Sequence, residues 1–218
     1  MENEESIENL FQKIIRDSIP VKITPFVTQT LVAFFFLVYG LTAENPLLTE
    51  QAWLSFGFIP ALMFSLTDIY RYVTHIFLHY DFVHLVVNSA FLWTFGDNVE
   101  EKIDHGYFAL SFFICGIFAA FGFGLFINFL YPIYSSVVCI GASGAISGVM
   151  AMYFILVPDN KVIILDKYEY SSKVYIAAWF VENLVYMFSI GEGIAYAAHV
   201  FGFIMGLVIG YVFQAKKP

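Results

Sequence analysis

GYFALSFFICGIFAAFGFGLFINFLYPIYSSVVCIGASGAISGVMAMYFILVP, residues 106–158, holds no Asp, Glu, Lys or Arg. A helix needs about 20 mostly apolar residues to cross the hydrocarbon of a bilayer. The run is therefore too long for one crossing, and Pro132 and Gly141 break it. It divides into a span at about 107–130 and another at about 143–157. Working outward, the same ruler gives spans at about 23–43, from 82 to just before 100, at about 174–190 and at about 195–213. The expectation is an all-α membrane protein, a six-helix bundle. Residues 1–22 form an N-terminal segment, 23–214 the membrane domain and 215–218 a short tail.

Composition agrees. Of the 218 residues, 60% are hydrophobic and only 13% charged, about half the charged share of a soluble domain. The mean hydropathy is +0.75. Such a chain cannot cover a globule with polar surface, and 26 Phe with 14 Tyr would not stay solvated in a disordered one. A net charge of −8 argues against nucleic acid as a partner, which calls for a basic face. The cysteines Cys115 and Cys139 form neither a disulfide framework nor a CxxC pair.

Orientation follows from the basic residues alone. Lys13, Arg16 and Lys22 precede the first span, Lys102 separates spans two and three, Lys161, Lys167 and Lys173 separate four and five, and Lys216 and Lys217 end the chain. With six spans these nine share one face, and only Arg71 of the ten lies on the other. That face, with both termini, is expected to be cytoplasmic and the protein multi-pass in the cell membrane. The acidic, amphipathic start shows no signal-peptide core and reads as a short surface helix. The first outward loop, 44–81, is the longest. Trp53, Phe56, Phe58, Ile59, Leu62 and Phe64 make it too apolar for solvent, so it is expected in the membrane interface.

Polar residues within spans are costly and tend to mark function. His84 and Asn88 stand four apart on one face of span two. Ser143 sits in the glycine-rich run at the start of span four, and His199 lies in span six. Glu182 and Asn183 lie in span five. A serine needs a base within reach, and histidine is the usual one near neutral pH. Gly144 and Gly148, and Gly202, Gly206 and Gly210, form stripes that permit close helix approach, and His199 shares its glycine face. Close packing could bring His199 against Ser143. Plain helix packing, with both polar residues as local glue, accounts for the spacing too. Free N–H groups at the start of span four, with His84 and Asn88, could hold an oxyanion. No aspartate is placed to orient His199, so a Ser–His dyad is the economical reading.

On these residues the chain resembles the rhomboid intramembrane serine proteases, from about residue 70 to 211. The GxSG motif of that family stands here as Gly141, Ala142, Ser143 and Gly144, its histidine with trailing glycines as Ala198, His199, Gly202 and Gly206, and its HxxxN pattern as His84 and Asn88. His75 and His79 match the histidines upstream of that pattern, and Glu100 stands where the family has a glutamate. The resemblance implies Ser143 as nucleophile, His199 as general base, and Asn88 and His84 as the oxyanion hole. It also implies transmembrane protein substrates in a membrane-lipid setting, and no cofactor. Two departures stand out. Tyr70-Arg71 replaces the usual Trp-Arg, and Ser147 occupies a position where some members carry an aromatic ring that stacks on the histidine. His199 must then be held by other packing.

His75, His79 and His84 also invite a metal reading, but there is no HExxH and a third ligand would have to come from another turn. Hydrogen bonding within loop one is the expected role of His75 and His79. Glu100, Glu101 and Asp104 are expected to pair with basic residues or cap helix ends. Two other functions compete. One is an inactive rhomboid-like protein that binds transmembrane segments, and the other is a small transporter using Glu182 and the polar residues as a path.

Overall fold

A computed structural model describes residues 7–43, 45–189 and 195–216. It is mostly helical. In chain order the elements are α1 (Ile7–Ile14), β1 (Ile15–Asp17), α2 (Phe26–Ala43), α3 (Pro46–Phe56), the single turn α4 (Arg71–Thr74), α5 (Phe82–Ile103), α6 (His105–Leu130), α7 (Ser143–Leu156), β2 (Lys161–Ile164), β3 (Tyr168–Ser171), α8 (Ser172–Tyr186) and α9 (Tyr196–Ala215). The six expected spans correspond to α2, α5, α6, α7, α8 and α9. Glu44, at the start of loop one, and Ile190, at the end of the fifth expected span, fall outside the described residues, as does Lys217. Among the described residues, three helices are long and apolar enough to cross a membrane: α2, α6 and α9. A fourth crossing arises if 66–77 and α5, bent by 83°, count as one. The apolar α7 is shorter.

The all-α expectation needs correction. β1, β2 and β3 form a three-stranded antiparallel sheet in the order β1-β2-β3, with Arg16 opposite Ile163 and Val162 opposite Tyr170. The β-branched run Val162, Ile163, Ile164 favours extended backbone. The three-residue connection 165–167 holds Leu165 and Asp166 both at φ 52°, and the Lys167 N–H closes the turn on the Ile164 carbonyl at 3.1 Å. The N-terminal segment supplies the third strand, and Arg16 pairs with Asp166 at the turn.

That segment is bound to the bundle. Phe11 is fully buried against the rings of Phe36 and Trp93, and Thr94 donates to the Ile15 carbonyl at 2.8 Å. Asp17 accepts from the Tyr153 hydroxyl and, at 2.9 Å, from Asn98. Burial there pushes its carboxyl up to about 6, against the Tyr153 bond that favours the charged form. Nearby, the fully buried Glu100 accepts at 2.8 Å from the backbone N–H groups of Val27 and Thr28 and from the Thr28 hydroxyl. It thus caps the positive end of α2, and His105 lies 2.5 Å away. A cleft beside this cap is lined by Ile23, Lys102 and Lys216 among others. The basic segments therefore gather at one end of the bundle.

At the other end loop one is folded. Asn45 caps α3 through Leu47 N–H at 2.9 Å. Arg71 is buried, pairs with Asp68 at 2.8 Å, and donates to the carbonyls of Leu54 and Gly57 at 2.8 and 2.9 Å. Phe58 and Cys139 exchange backbone hydrogen bonds at 2.9 and 2.8 Å, which ties the loop to the chain entering α7.

α7 and α9 make the closest packing in the bundle. A Cβ on Gly206 would sit 2.6 Å from both Cα and C of Gly148, and one on Gly202 would sit 2.9 Å from C of Gly144. Only glycines allow backbones to approach this far, and in lipid such contact is a main source of helix association. The two expected glycine stripes therefore do pack together.

Candidate active site

Ser143 is the first residue of α7, and His199 lies near the start of α9. The glycine contact between these helices sets the two side chains against each other. Ser143 Oγ lies 2.7 Å from His199 Nε2. A hydroxyl bonded to an imidazole nitrogen can pass its proton there and become a nucleophile.

Gly141 shapes the approach to Ser143. Its φ is +116°, a conformation that L side chains rarely adopt. A Cβ there would sit 2.8 Å from His84 Cε1, 3.0 Å from His84 Nε2 and 3.9 Å from Ser143 Oγ. The missing methyl leaves a small space flanked by the His84 ring and the Ser143 hydroxyl. His84 Nδ1 accepts from the Tyr80 N–H at 3.3 Å, so Nε2 carries the ring proton and faces that space as a donor. Asp81 caps α5 through the His84 N–H at 2.7 Å, which places His84 in the first turn. Asn88 is buried one turn on and donates one amide hydrogen to the His84 carbonyl at 2.9 Å. Among the described residues that is the one hydrogen bond its amide nitrogen makes.

The other histidines pack around this core. His75 bonds the Arg71 carbonyl through Nδ1 at 2.9 Å, and its own carbonyl accepts from Gly141 N–H at 2.9 Å, so it supports the turn before Ser143. His79 is buried against the rings of Phe35 and His84. Its expected hydrogen-bonding role in loop one gives way to ring packing. Among the described residues no group of His, Cys, Asp and Glu is arranged to hold a metal ion.

Asn183 is a site residue that sequence reasoning left without a role. Its Oδ1 lies 2.7 Å from His199 Nδ1, and its Nδ2 donates to the Trp179 carbonyl at 2.8 Å. The Trp179 ring stacks on His199, centroids 5.7 Å apart at 28°. Ser147, at the position of the missing aromatic, bonds the Ser143 carbonyl at 2.6 Å instead. The stacked ring and the amide on His199 thus come from α8, and the Tyr196 ring of α9 meets it edge-on at 6.3 Å. The sequence signal was a tryptophan and an asparagine four apart, hence on one helical face, within a span where buried polar groups are costly. Glu182 is exposed on the other side of α8.

Comparison with known proteins bears on the family of the chain. A family model, the Rhomboid domain, matches residues 66–216. Curated relatives include the rhomboid protease GlpG of Salmonella newport (strain SL254) and that of Salmonella heidelberg (strain SL476), each 36% identical over 58 residues. Each match covers 27% of this chain and 20% of the relative, so the aligned stretch spans about a fifth of those proteins.

Proposed function

The chain belongs to the rhomboid family, and from that premise we propose that it is an intramembrane serine endopeptidase that cleaves transmembrane segments of membrane-anchored proteins. The observation that carries the proposal is the Ser143–His199 contact at 2.7 Å, beside the small space left by Gly141 and faced by His84 Nε2.

Ser143 Oγ attacks the carbonyl carbon of the scissile peptide while His199 Nε2 takes its proton. The carbonyl oxygen becomes an oxyanion, held by Asn88, His84 and a backbone N–H at the start of α7. Donors fixed in place before charge develops are the effective ones. Collapse breaks the C–N bond, and His199 returns the proton to the leaving amine. Water then adds to the acyl-serine, with His199 again the base, and releases the new carboxyl end. Carbonyls in a helical substrate already have partners, so the substrate must unwind at the cut. Small or helix-breaking residues near the cut suit that need. Loop one or α8, parting from α5, is the proposed gate.

The protein is an integral membrane protein. We propose six crossings with both termini cytoplasmic in the cell membrane, supported by the basic segments gathered at the end away from Ser143. No feature favours an inactive relative, since Ser143 and His199 are both present and in contact. Glu182, exposed outward on α8, offers no polar path for transport.

The test is cleavage of a single-span protein in liposomes. Ser143→Ala and His199→Ala should each abolish it, and the double variant should be no worse, because members of a catalytic unit are non-additive. Substantial cleavage by Ser143→Ala would end the serine mechanism.

A further inference from the structure

His199 is gripped from one side by a single helix. α8 supplies the stacked ring of Trp179 and the amide of Asn183. Both reach His199 from one helical face, and Asn183 is buried. Among the described residues, that amide is the hydrogen-bond partner of His199 Nδ1.

The hydrogen-bond directions follow from one carbonyl. The Trp179 oxygen can only accept, so the Asn183 nitrogen, 2.8 Å away, must face it. The Asn183 oxygen is then the atom turned to His199, at 2.7 Å. An amide oxygen can only accept, so His199 Nδ1 must carry the proton. In a neutral imidazole the other nitrogen is then unprotonated. That nitrogen is Nε2, which faces Ser143. Reversing the amide would set oxygen against the Trp179 oxygen.

We infer that Asn183 is a positioning residue that fixes His199 in the tautomer whose Nε2 can take the Ser143 proton. This deepens the proposed protease reading and rests on it. It makes the catalytic unit three residues on three helices, α7, α9 and α8, with a neutral amide where a carboxylate would do the same work. Because Asn183 and Trp179 both belong to α8, the unit is complete only while α8 lies against α9.

The experiment compares full-length wild type, Asn183→Leu and Asn183→Asp in liposomes, measuring kcat, KM and the pH–rate profile on a single-span protein. Asn183→Leu keeps the branched shape and the number of heavy atoms and removes the bond. It should lower kcat about 10- to 100-fold, the loss typical when the partner that orients a metal-bound imidazole is removed, and leave KM within about twofold. Asn183→Asp places a carboxylate on Nδ1–H, which favours the charged ring. It should move the acidic limb of the profile to higher pH by about one unit or more. That shift reports a carboxylate seated against the Nδ1–H, so the second variant still reads the contact where the first folds poorly. Unchanged kcat in Asn183→Leu, or an unmoved acidic limb in Asn183→Asp, would overturn the inference. Absence of cleavage by wild type would count against the protease reading instead. The inference would still be decided then by nitrogen NMR of His199 in Ser143→Ala, which should show the proton on Nδ1, and a proton on Nε2 would refute it.

Discussion

Gly206→Ala probes the helix contact that builds the site without touching any group in it. Gly206 lies seven residues beyond His199, about 10 Å along α9 at 1.5 Å per residue. The added Cβ would sit 2.6 Å from both Cα and C of Gly148. Carbon atoms in contact prefer roughly 3.5–4.0 Å, so the shortfall is about 1 Å. The obstructing atoms are helix backbone and cannot rotate away, so α9 must move off α7 by about that distance. The Ser143–His199 contact, now 2.7 Å, would open to about 3.7 Å, outside hydrogen-bond range. Misplacement of about 1 Å at reacting groups can cost about 10²-fold in rate, and overpacking typically costs about 1–3 kcal/mol in stability. Gly210→Ala is the matched control on the same helix. Its nearest neighbours would be Ile155 Cβ, Cγ1 and Cγ2, at 3.1, 3.3 and 3.4 Å, a shortfall of a few tenths of an ångström against about 1 Å at Gly206. The assay is single-span cleavage in liposomes, with thermal melting in parallel. Gly206→Ala should lose about 10²-fold or more in kcat, and Gly210→Ala should stay within about threefold of wild type. Equal activity and melting in Gly206→Ala and wild type would refute the claim that glycine contact sets the catalytic distance.

Asn88→Ala should lower kcat by roughly 10²–10³, the usual loss of one oxyanion donor, with little change in KM or melting. A lower melting temperature with normal turnover would mark Asn88 as an interhelical bond only. Asp17 ties stability to pH. Its folded value, about 6, lies above the ordinary 3.8 because burial disfavours the charge. Its contribution is therefore fully present below about pH 3.8 and is lost as pH rises through about 6. The swing is on the order of 3 kcal/mol, from about two units at 1.36 kcal/mol each. Asp17→Asn should flatten melting temperature between pH 4 and 7, and an unchanged slope would remove Asp17 from that role. For topology, cysteines introduced at Glu50 and Lys217 should label from opposite faces of the membrane, and labelling from one face would break the six-span proposal.

Much of the fold was legible because bilayer thickness imposes a length on apolar runs. The expected span at 107–130 appears as α6 at His105–Leu130, and that at 143–157 as α7 at Ser143–Leu156. The glycine stripes were readable as well, since a four-residue period on a helix fixes a face. The sheet was not. Residues 15–17 and 161–171 are short, and their pairing joins distant parts of the chain, which periodicity within a segment cannot reveal. The N-terminal helix was expected at the surface, but burial of Phe11 depends on a groove beside Phe36 and Trp93 that exists only after folding. Asn183 was visible as a polar residue in a span. Its partner was not, because sequence gives the face of α8 but not its rotation against α9. The missing aromatic at Ser147 hinted that His199 needed another support, and that support is Trp179.

Labelling with a fluorophosphonate, followed by mass mapping of the adduct, tests the central claim most directly. It needs no knowledge of the substrate and reads the nucleophile itself. One adduct is expected, on Ser143, absent in Ser143→Ala and strongly reduced in His199→Ala, where no base accepts the hydroxyl proton. An adduct that persists in Ser143→Ala, or a wild-type protein that cleaves its substrate while Ser143 stays unmodified, would contradict the account.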